Sequence, residues 1–436
     1  MFTNKMIANL LIPVVLEQLL NSIMGTADTM MVSNVGSAAI SAVSLVDSIN
    51  VLVIQAFSAL AAGGAIVCAQ YIGQKNVKRA NESARQVLFI ITAISVVISL
   101  ICLVFQKPML RLIFGSVEAE VMRASEIYFF YTALSFPFIA AYDSAASIFR
   151  AQDNTKGPML ISMISNVMNI AGNAMLIWGF HMGVAGAGLA TVGANATSAV
   201  QILYFLTHEE LPIRLSFKSL TIDQDAVSKI LKIGVPAGLQ GMVFSLANVC
   251  IQSGINSFGA GGIAGSAVEL NYEYFAYYLV NAFAQTVVTF TGQNYGAKDE
   301  GRCKKIFRLG MLCSVISCGI LSTIFVVFRT FFIGLFTSDP SVYHYAQLRF
   351  LIVLTFECLT SSYEISGGCL RGFGRSMTPA ILTVFGSCVL RLIWLATVCN
   401  WFHDYKLLMA IYPISWVLTG TMVLVAYFRT RKKLFL

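Results

Sequence analysis

Apolar stretches of about 18 residues or more recur along the whole 436-residue chain. Roughly 20 apolar residues in a helix cross the hydrocarbon core of a bilayer. The stretches are continuous and do not alternate with polar residues, which excludes the pattern of a membrane β-barrel. Only 11% of the residues are charged, whereas a soluble domain has about 25%. The sequence therefore predicts an all-α integral membrane protein.

The apolar runs predict about twelve membrane-spanning helices. These helices are expected near residues 6–32, 40–72, 85–106, 121–149, 157–180, 184–207, 228–255, 263–294, 304–328, 341–370, 377–401 and 406–428. Lys and Arg residues concentrate in the loops on the side of the N-terminus, and loops rich in these residues stay in the cytoplasm. We therefore expect a multi-pass protein of the cell (inner or plasma) membrane with both termini in the cytoplasm. The net charge of +8 follows from this asymmetry and does not indicate nucleic-acid binding.

The two halves of the chain repeat each other. The stretch "AQYIGQKNVKRANESARQ" (69–86) corresponds to "GQNYGAKDEGRCKKIFRL" (292–309). In the same way, "AAYDSAASIFRAQDNTKGPM" (140–159) corresponds to "SSYEISGGCLRGFGRSMTPA" (361–380). Matched positions lie 221 to 223 residues apart, which indicates an internal duplication.

The duplication predicts four parts of the chain. These are an N-terminal six-helix lobe (1–207), a cytoplasmic linker (208–227), a C-terminal six-helix lobe (228–430) and a basic cytoplasmic tail (431–436). An even number of spans in each half makes the halves parallel repeats, related by a pseudo-two-fold axis along the membrane normal. This plan is typical of transporters that hold a substrate between their halves and work by rocking-type alternating access.

Acidic residues outnumber basic residues inside the predicted spans. The acids are Glu17, Asp28, Asp47, Asp143, Glu269, Glu273, Glu357 and Glu364. A charge at the bilayer centre costs about 2.5–3.5 kcal/mol or more, so each acid is a candidate functional residue. Arg391 is the comparable base in mid-span, and Arg349 lies nearer a span end. The excess of acid favours binding of a cation, which can be Na⁺, H⁺ or an organic cation.

Five of the acids are predicted to line a substrate cavity, and each has a structural alternative. They are Glu17, Asp143, Glu269, Glu273 and Glu364. For Glu17 the alternative is a hydrogen bond to a neighbouring helix. For Asp143 and Glu364 it is an ion pair or another capped polar contact. For Glu269 and Glu273 it is exposure to water on the outer side.

A polar stripe follows the fifth predicted span. Asn166, Asn169 and Asn173 stand at positions i, i+3 and i+7 and share a helix face. Amide oxygens are suitable ligands for hard cations beside a carboxylate, and interhelical hydrogen bonding is the alternative. The sequence shows no nucleophile–base pair, no phosphate-binding glycine loop and no ATP-binding domain. We therefore expect no enzyme activity and no cofactor, and uphill transport must be driven by Na⁺ or H⁺.

Motifs along the whole chain resemble the multidrug and toxic compound extrusion (MATE) family. They are "ADTMMVSNVG", "AQYIGQKN", "IFRAQDNTKGP", "GFHMGVAGAGLAT", "GQNYGAKD" and "CLRGFGRSMTP", in this order. The resemblance implies two six-helix lobes and export of cationic, amphipathic drugs in exchange for Na⁺ or H⁺. It also implies a coupling-ion site at Asp28, Asn169, Asn173 and Thr191, although many relatives have Asp where this chain has Asn173.

The second half departs from one branch of that family. Relatives with an ion site in the second lobe have acids where this chain has Phe244 and Thr360, and Glu364 lies four residues beyond Thr360. The chain therefore resembles the DinF-like branch.

Three functional hypotheses follow, and the preferred one is a cation-coupled multidrug antiporter. A flippase for lipid-linked glycans or other lipids, from the same wider superfamily, is the alternative. The acidic character of the buried charge disfavours it. A membrane enzyme or channel is the third hypothesis, which the missing catalytic and filter motifs disfavour. The partners expected are small organic cations and membrane lipid, with no nucleic acid, and a self-contained two-lobe plan favours a monomer.

Overall fold

The protein is described here by a computed structural model that covers residues 12–20, 30–32, 35–115, 117–208, 212–214 and 223–435. These residues form helices and connecting turns and contain no β-strand. The chain divides into two compact units, Met1–Gly238 and Leu239–Leu436. The predicted all-α class is therefore confirmed. The predicted boundaries of the lobes and of the linker stay predictions.

The first unit is organised around one long central helix. Its helices are α1 (12–20), α2 (Ser37–Gly73), α3 (Val77–Val104), α4 (Gln106–Phe114), α5 (Ala119–Ala151), α6 (Lys156–Asn173), α7 (Gly183–His208) and the first half of α8 (Gln224–Asn256). Helix α5 packs against α2, α3 and α7. Helix α6 continues into a π-helical turn, Ala174–Gly179.

The second unit contains the second half of α8 and nine further helices. They are α9 (Gly259–Gly296), α10 (Glu300–Val327), α11 (Arg329–Gly334), α12 (Pro340–Ile352), α13 (Thr360–Gly372), α14 (Met377–Thr383), α15 (Leu390–Ala396), α16 (Val398–Trp401) and α17 (Tyr405–Phe435). A 3₁₀ segment, Leu354–Leu359, joins α12 to α13, and a π-helical segment, Val384–Val389, joins α14 to α15. Helix α9 packs against α10, α12 and α13.

The described helices fall on the predicted spans, but most of the first predicted span, 6–32, lies outside the described residues, which there are 12–20 and 30–32. Eight helical segments of the described chain are long and apolar enough to cross a membrane. They are α2, α3, α6 with its π turn, α7, α8, α10, α14 to α16, and α17. Helices α1, α5, α9 and the pair α12–α13 fall on the four remaining predicted spans. The sequence did not predict that the span near 341–370 is interrupted by a 3₁₀ segment.

Backbone geometry confirms the internal repeat. Lys75 and Lys298, which are 223 residues apart, both adopt φ 57°, a left-handed conformation that is uncommon for residues other than glycine. The next residues, Asn76 and Asp299, cap α3 and α10 by accepting a hydrogen bond from a backbone N–H three residues on. Both halves thus use the same turn to end one long helix and begin the next.

Helices α9 and α12 pack with their backbones in close approach at Gly265. A Cβ atom there would lie 2.7 Å from the Val342 carbonyl oxygen and 2.8 Å from the Ala346 nitrogen. Both contacts are to backbone, which cannot rotate away. The absence of a side chain at Gly265 therefore allows this helix pair to form.

We expect Gly265→Ala to lower the free energy of unfolding by about 1–3 kcal/mol, because α12 must move away from α9. Denaturant unfolding of the purified protein in detergent micelles measures this change. Gly193→Ala on α7 is the matched control, since a Cβ at Gly193 meets no atom within 4 Å. The control should be neutral or stabilise by about 0.5–1 kcal/mol. Equal stability of the two variants would contradict the prediction.

Candidate functional site

In the first unit, α6 and α7 bring three of the predicted ion ligands together. Asn173 donates a hydrogen bond to the Asn169 side-chain oxygen at 3.0 Å. Asn169 in turn donates to the Thr191 hydroxyl at 3.4 Å, and Thr191 donates to the carbonyl oxygen of Ala187 at 3.0 Å. Both Asn side chains are buried. The four residues form one directional chain of hydrogen bonds from α6 into α7.

This chain leaves oxygen lone pairs that can coordinate a cation. An amide or hydroxyl oxygen has two lone pairs, and these hydrogen bonds use one lone pair on Asn169 and one on Thr191. The π-helical turn begins directly after Asn173, and such turns are frequent at functional sites. Asp28, the predicted acidic ligand, lies outside the described residues.

Glu17, the first predicted cavity acid, forms a buried ion pair between α1 and α5. Arg150 donates from one nitrogen to both carboxylate oxygens of Glu17 at 2.9 Å. The Tyr142 hydroxyl lies 3.2 Å from the same carboxylate and 2.9 Å from the carbonyl oxygen of Pro158. This geometry is the structural alternative considered for Glu17, a bond to a neighbouring helix. Its predicted role in the cavity stays a prediction.

Asp143 and Glu364, which occupy matching positions of the repeat, are bound by hydroxyl groups. Ser58 on α2 donates to Asp143. The Tyr277 hydroxyl on α9 donates to Glu364 at 3.4 Å. No ion pair within 4 Å involves either carboxylate among the described residues. Neither acid therefore has a directly bound base in this part of the chain.

Glu269 and Glu273 share one base in the second unit. Arg349 on α12 donates its Nε to Glu269 and its Nη2 to Glu273, the latter at 2.8 Å. Glu269 and Arg349 are 0% and 1% exposed. The alternative of exposure to outer water is therefore wrong for Glu269. The two acids stand at i and i+4 on α9, so they face α12 together.

A second buried base, Arg391, lies near this trio. Its Nε and Nη1 donate to Ser415 and Asn248, both at 3.2 Å. The Tyr412 ring lies 4.5 Å from its guanidinium carbon, and Phe244 lies at 5.3 Å. Both positions are favourable for a cation–π interaction. Phe244 occupies the place of an acid in one branch of the resembled family, and here it contacts a base.

The repeat is chemically asymmetric at one pair of residues. Gln240 is 223 residues after Glu17, and Arg371 is 221 residues after Arg150. Arg371 donates to the Gln240 side-chain oxygen at 3.4 Å. The second unit therefore replaces the charged pair of the first unit by a weaker bond to a neutral amide.

The sequence model of the MatE family matches residues 13–175 and 236–396, one segment in each half of the duplication. The chain belongs to the MatE family. Probable multidrug resistance protein YoeA of Bacillus subtilis is 24% identical over 383 residues, which cover 86% of this chain and 82% of that protein. Probable multidrug resistance protein NorM of Thermotoga maritima is 25% identical over 397 residues, 89% of this chain and 84% of the other.

Solved MATE structures have the same fold. One of them, an outward-facing conformation of a multidrug resistance MATE family transporter of the MOP superfamily, aligns with a TM-score of 0.92 at 18% identity. The alignment covers 99% of this chain and 96% of the solved chain. The predicted architecture of twelve helices in two halves is therefore confirmed at the level of the fold. Membership of the DinF-like branch stays a prediction.

Sequence reasoning missed the connections of the two buried bases. The sequence places Arg349 near a span end and does not identify its two carboxylate partners. An i, i+4 pair of acids on one span and a base on another indicate that charges must pair. They do not indicate which helices meet. The surroundings of Arg391, formed by α8 and α17, had no sequence marker at all.

Proposed function

We propose that this MatE protein is a secondary active antiporter. It exports cationic, amphipathic compounds in exchange for Na⁺ or H⁺ by rocking-type alternating access. The observation that supports this most directly is the buried chain of Asn173, Asn169 and Thr191, whose polar oxygens converge between two membrane helices. The names of the relatives YoeA and NorM, both probable multidrug resistance proteins, agree with drug export.

In this proposal the coupling ion binds in the first unit. Asp28 provides the charge, and Asn169, Asn173 and Thr191 provide neutral ligands. Since Asn173 replaces the Asp of many relatives, the site carries one negative charge fewer and suits a monovalent ion.

The proposed substrate interactions follow from how each acid is bound. Within the described chain, Asp143 and Glu364 accept hydrogen bonds from hydroxyl groups and pair with no base, so an ionised carboxylate at either position can attract an organic cation. Glu17, Glu269 and Glu273 are paired with arginine side chains. They contribute to substrate binding only where a conformational change releases these pairs.

The proposed setting is the cell membrane. Both termini lie in the cytoplasm, and the protein works as a monomer. The distribution of Lys and Arg among the loops supports the orientation.

Efflux of ethidium from proteoliposomes tests the proposal. We expect a Na⁺ gradient or a pH gradient, imposed separately, to drive efflux in the wild type, and Asp28→Asn to abolish the response to the effective gradient. The substitution keeps the side-chain shape and removes the charge that binds the ion. The initial rate of dye release at matched protein density is the measurement.

Glu120→Gln is the matched control, because it neutralises an exposed acid on α5 and should leave efflux unchanged. Wild-type protein that moves no dye under either gradient would contradict the antiporter proposal. Full activity of Asp28→Asn would contradict the role of Asp28 alone.

A further inference from the structure

One buried acid of the second unit has no bonded base among the described residues, and one of its carboxylate oxygens accepts no hydrogen bond from them. Glu357 lies on the 3₁₀ segment between α12 and α13 and is 1% exposed. In the described chain its Oε2 has no hydrogen-bond partner, and none of the ion pairs there includes Glu357. A carboxylate in such surroundings is strongly disfavoured, whereas a neutral carboxylic acid is tolerated.

Arg391, a buried base of the same unit, does not form an ion pair with Glu357. Arg391 acts on Glu357 electrostatically, but its hydrogen bonds go to Ser415 and Asn248. Its Nη2 has no hydrogen-bond partner among the residues that the structure describes. Aromatic rings of Tyr412 and Phe244 hold its guanidinium group instead. Arg391 and Glu357 are therefore not bonded to each other.

The charged side chains around Glu357 form a cluster that has one negative charge in excess when all of them are ionised. The charged side chains around Glu357 are Glu269 and Glu273 on α9, Arg349 on α12 and Arg391 on α15. With all groups ionised, three carboxylates face two guanidinium groups, a sum of −1. The other titratable neighbours are Tyr277, Cys318, Cys358 and Tyr363, and they add no positive charge.

Two further features distinguish Glu357 from the other acids. Glu269 and Glu273 each accept a hydrogen bond from Arg349, whereas no ion pair of the described chain includes Glu357. Glu357 also lies at the point where a membrane helix changes from α to 3₁₀ geometry. Runs of 3₁₀ helix longer than three or four residues are uncommon and often mark functional hinges, and this run has six residues.

We propose that Glu357 binds one exchangeable proton and that this proton makes the buried cluster neutral. A proton suits the site better than a metal ion. The described residues contain no group of three or more His, Cys, Asp or Glu side chains placed to hold a metal. The site is separate from the proposed coupling-ion site of the first unit. Proton binding here does not depend on the proposed transport function, although a role of this proton in coupling would rest on it.

Infrared spectroscopy of the full-length protein in detergent micelles tests the proposal without a transport assay. The carbonyl stretch of a protonated, buried carboxyl group is resolved from the bands of ionised carboxylates. We expect this band in the wild type and in Glu120→Gln, and its loss in Glu357→Gln. Persistence of the full band in folded Glu357→Gln would overturn the assignment.

A second variant keeps the test informative if Glu357→Gln does not fold. Arg391→Met removes a positive charge that opposes protonation of Glu357. We expect the proton affinity of Glu357, measured by following this infrared band against pH, to increase about tenfold. An unchanged titration would overturn the proposed electrostatic link. Addition of Na⁺ at constant pH should leave the band in place. Its loss on adding Na⁺ would show that a metal ion replaces the proton, and would overturn the choice of ligand.

Discussion

Arg349→Met is expected to lower the free energy of unfolding by about 3–5 kcal/mol. Arg349 is the base that both Glu269 and Glu273 contact, and removing it leaves two carboxylates in a buried site without a partner. Breaking a buried ion pair from one side costs more than removing the whole pair, because the remaining charge has lost its water as well as its counter-ion. Unfolding of the purified protein in mixed detergent micelles provides the measurement.

The triple variant Glu269→Gln, Glu273→Gln and Arg349→Met separates the loss of stability caused by unpaired charge from the loss caused by altered packing. It removes the acids together with the base, and we expect it to recover most of the lost stability. Arg375→Met, which alters an exposed arginine of the same unit, serves as the control for loss of an arginine. If Arg349→Met unfolds like the wild type, the two acids do not depend on this base.

Arg150→Met is expected to destabilise the protein by about 1–3 kcal/mol, and more than its repeat counterpart Arg371→Met. Arg150 contacts both carboxylate oxygens of Glu17, and their side chains are 26% and 5% exposed. Partial exposure of the arginine limits the loss. Arg371→Met removes a bond to the neutral Gln240, for which we expect about 0.5–1.5 kcal/mol.

The repeat makes this comparison well controlled. Each arginine also faces an acid seven residues earlier, Asp143 or Glu364, so these contributions are similar in the two variants. The pair Glu17→Gln with Arg150→Met should be more stable than Arg150→Met alone, because no carboxylate is left unpaired. Equal losses for Arg150→Met and Arg371→Met would show that the charge of Glu17 does not matter.

The interruption of the tenth predicted span shows where local patterns reach their limit. The stretch "LTFECL" (354–359) contains neither proline nor glycine, so nothing in it marks a break in the helix. Its conformation arises where α9, α10 and α17 pack around it. A prediction based on apolar run length therefore continues the helix through Glu357 and misses the surroundings of that acid.

The helical spans, the duplication and the set of acids inside the membrane can be predicted from the sequence. They follow from apolar run length and residue spacing, which act over one or a few helical turns. Which acids have a base depends on how the helices pack. Arg150 is 133 residues from Glu17, and Arg349 is 80 residues from Glu269. Such pairs depend on which helices meet and how each is rotated about its axis. An apolar span that is hydrophobic on every face leaves that rotation unspecified until the helices pack.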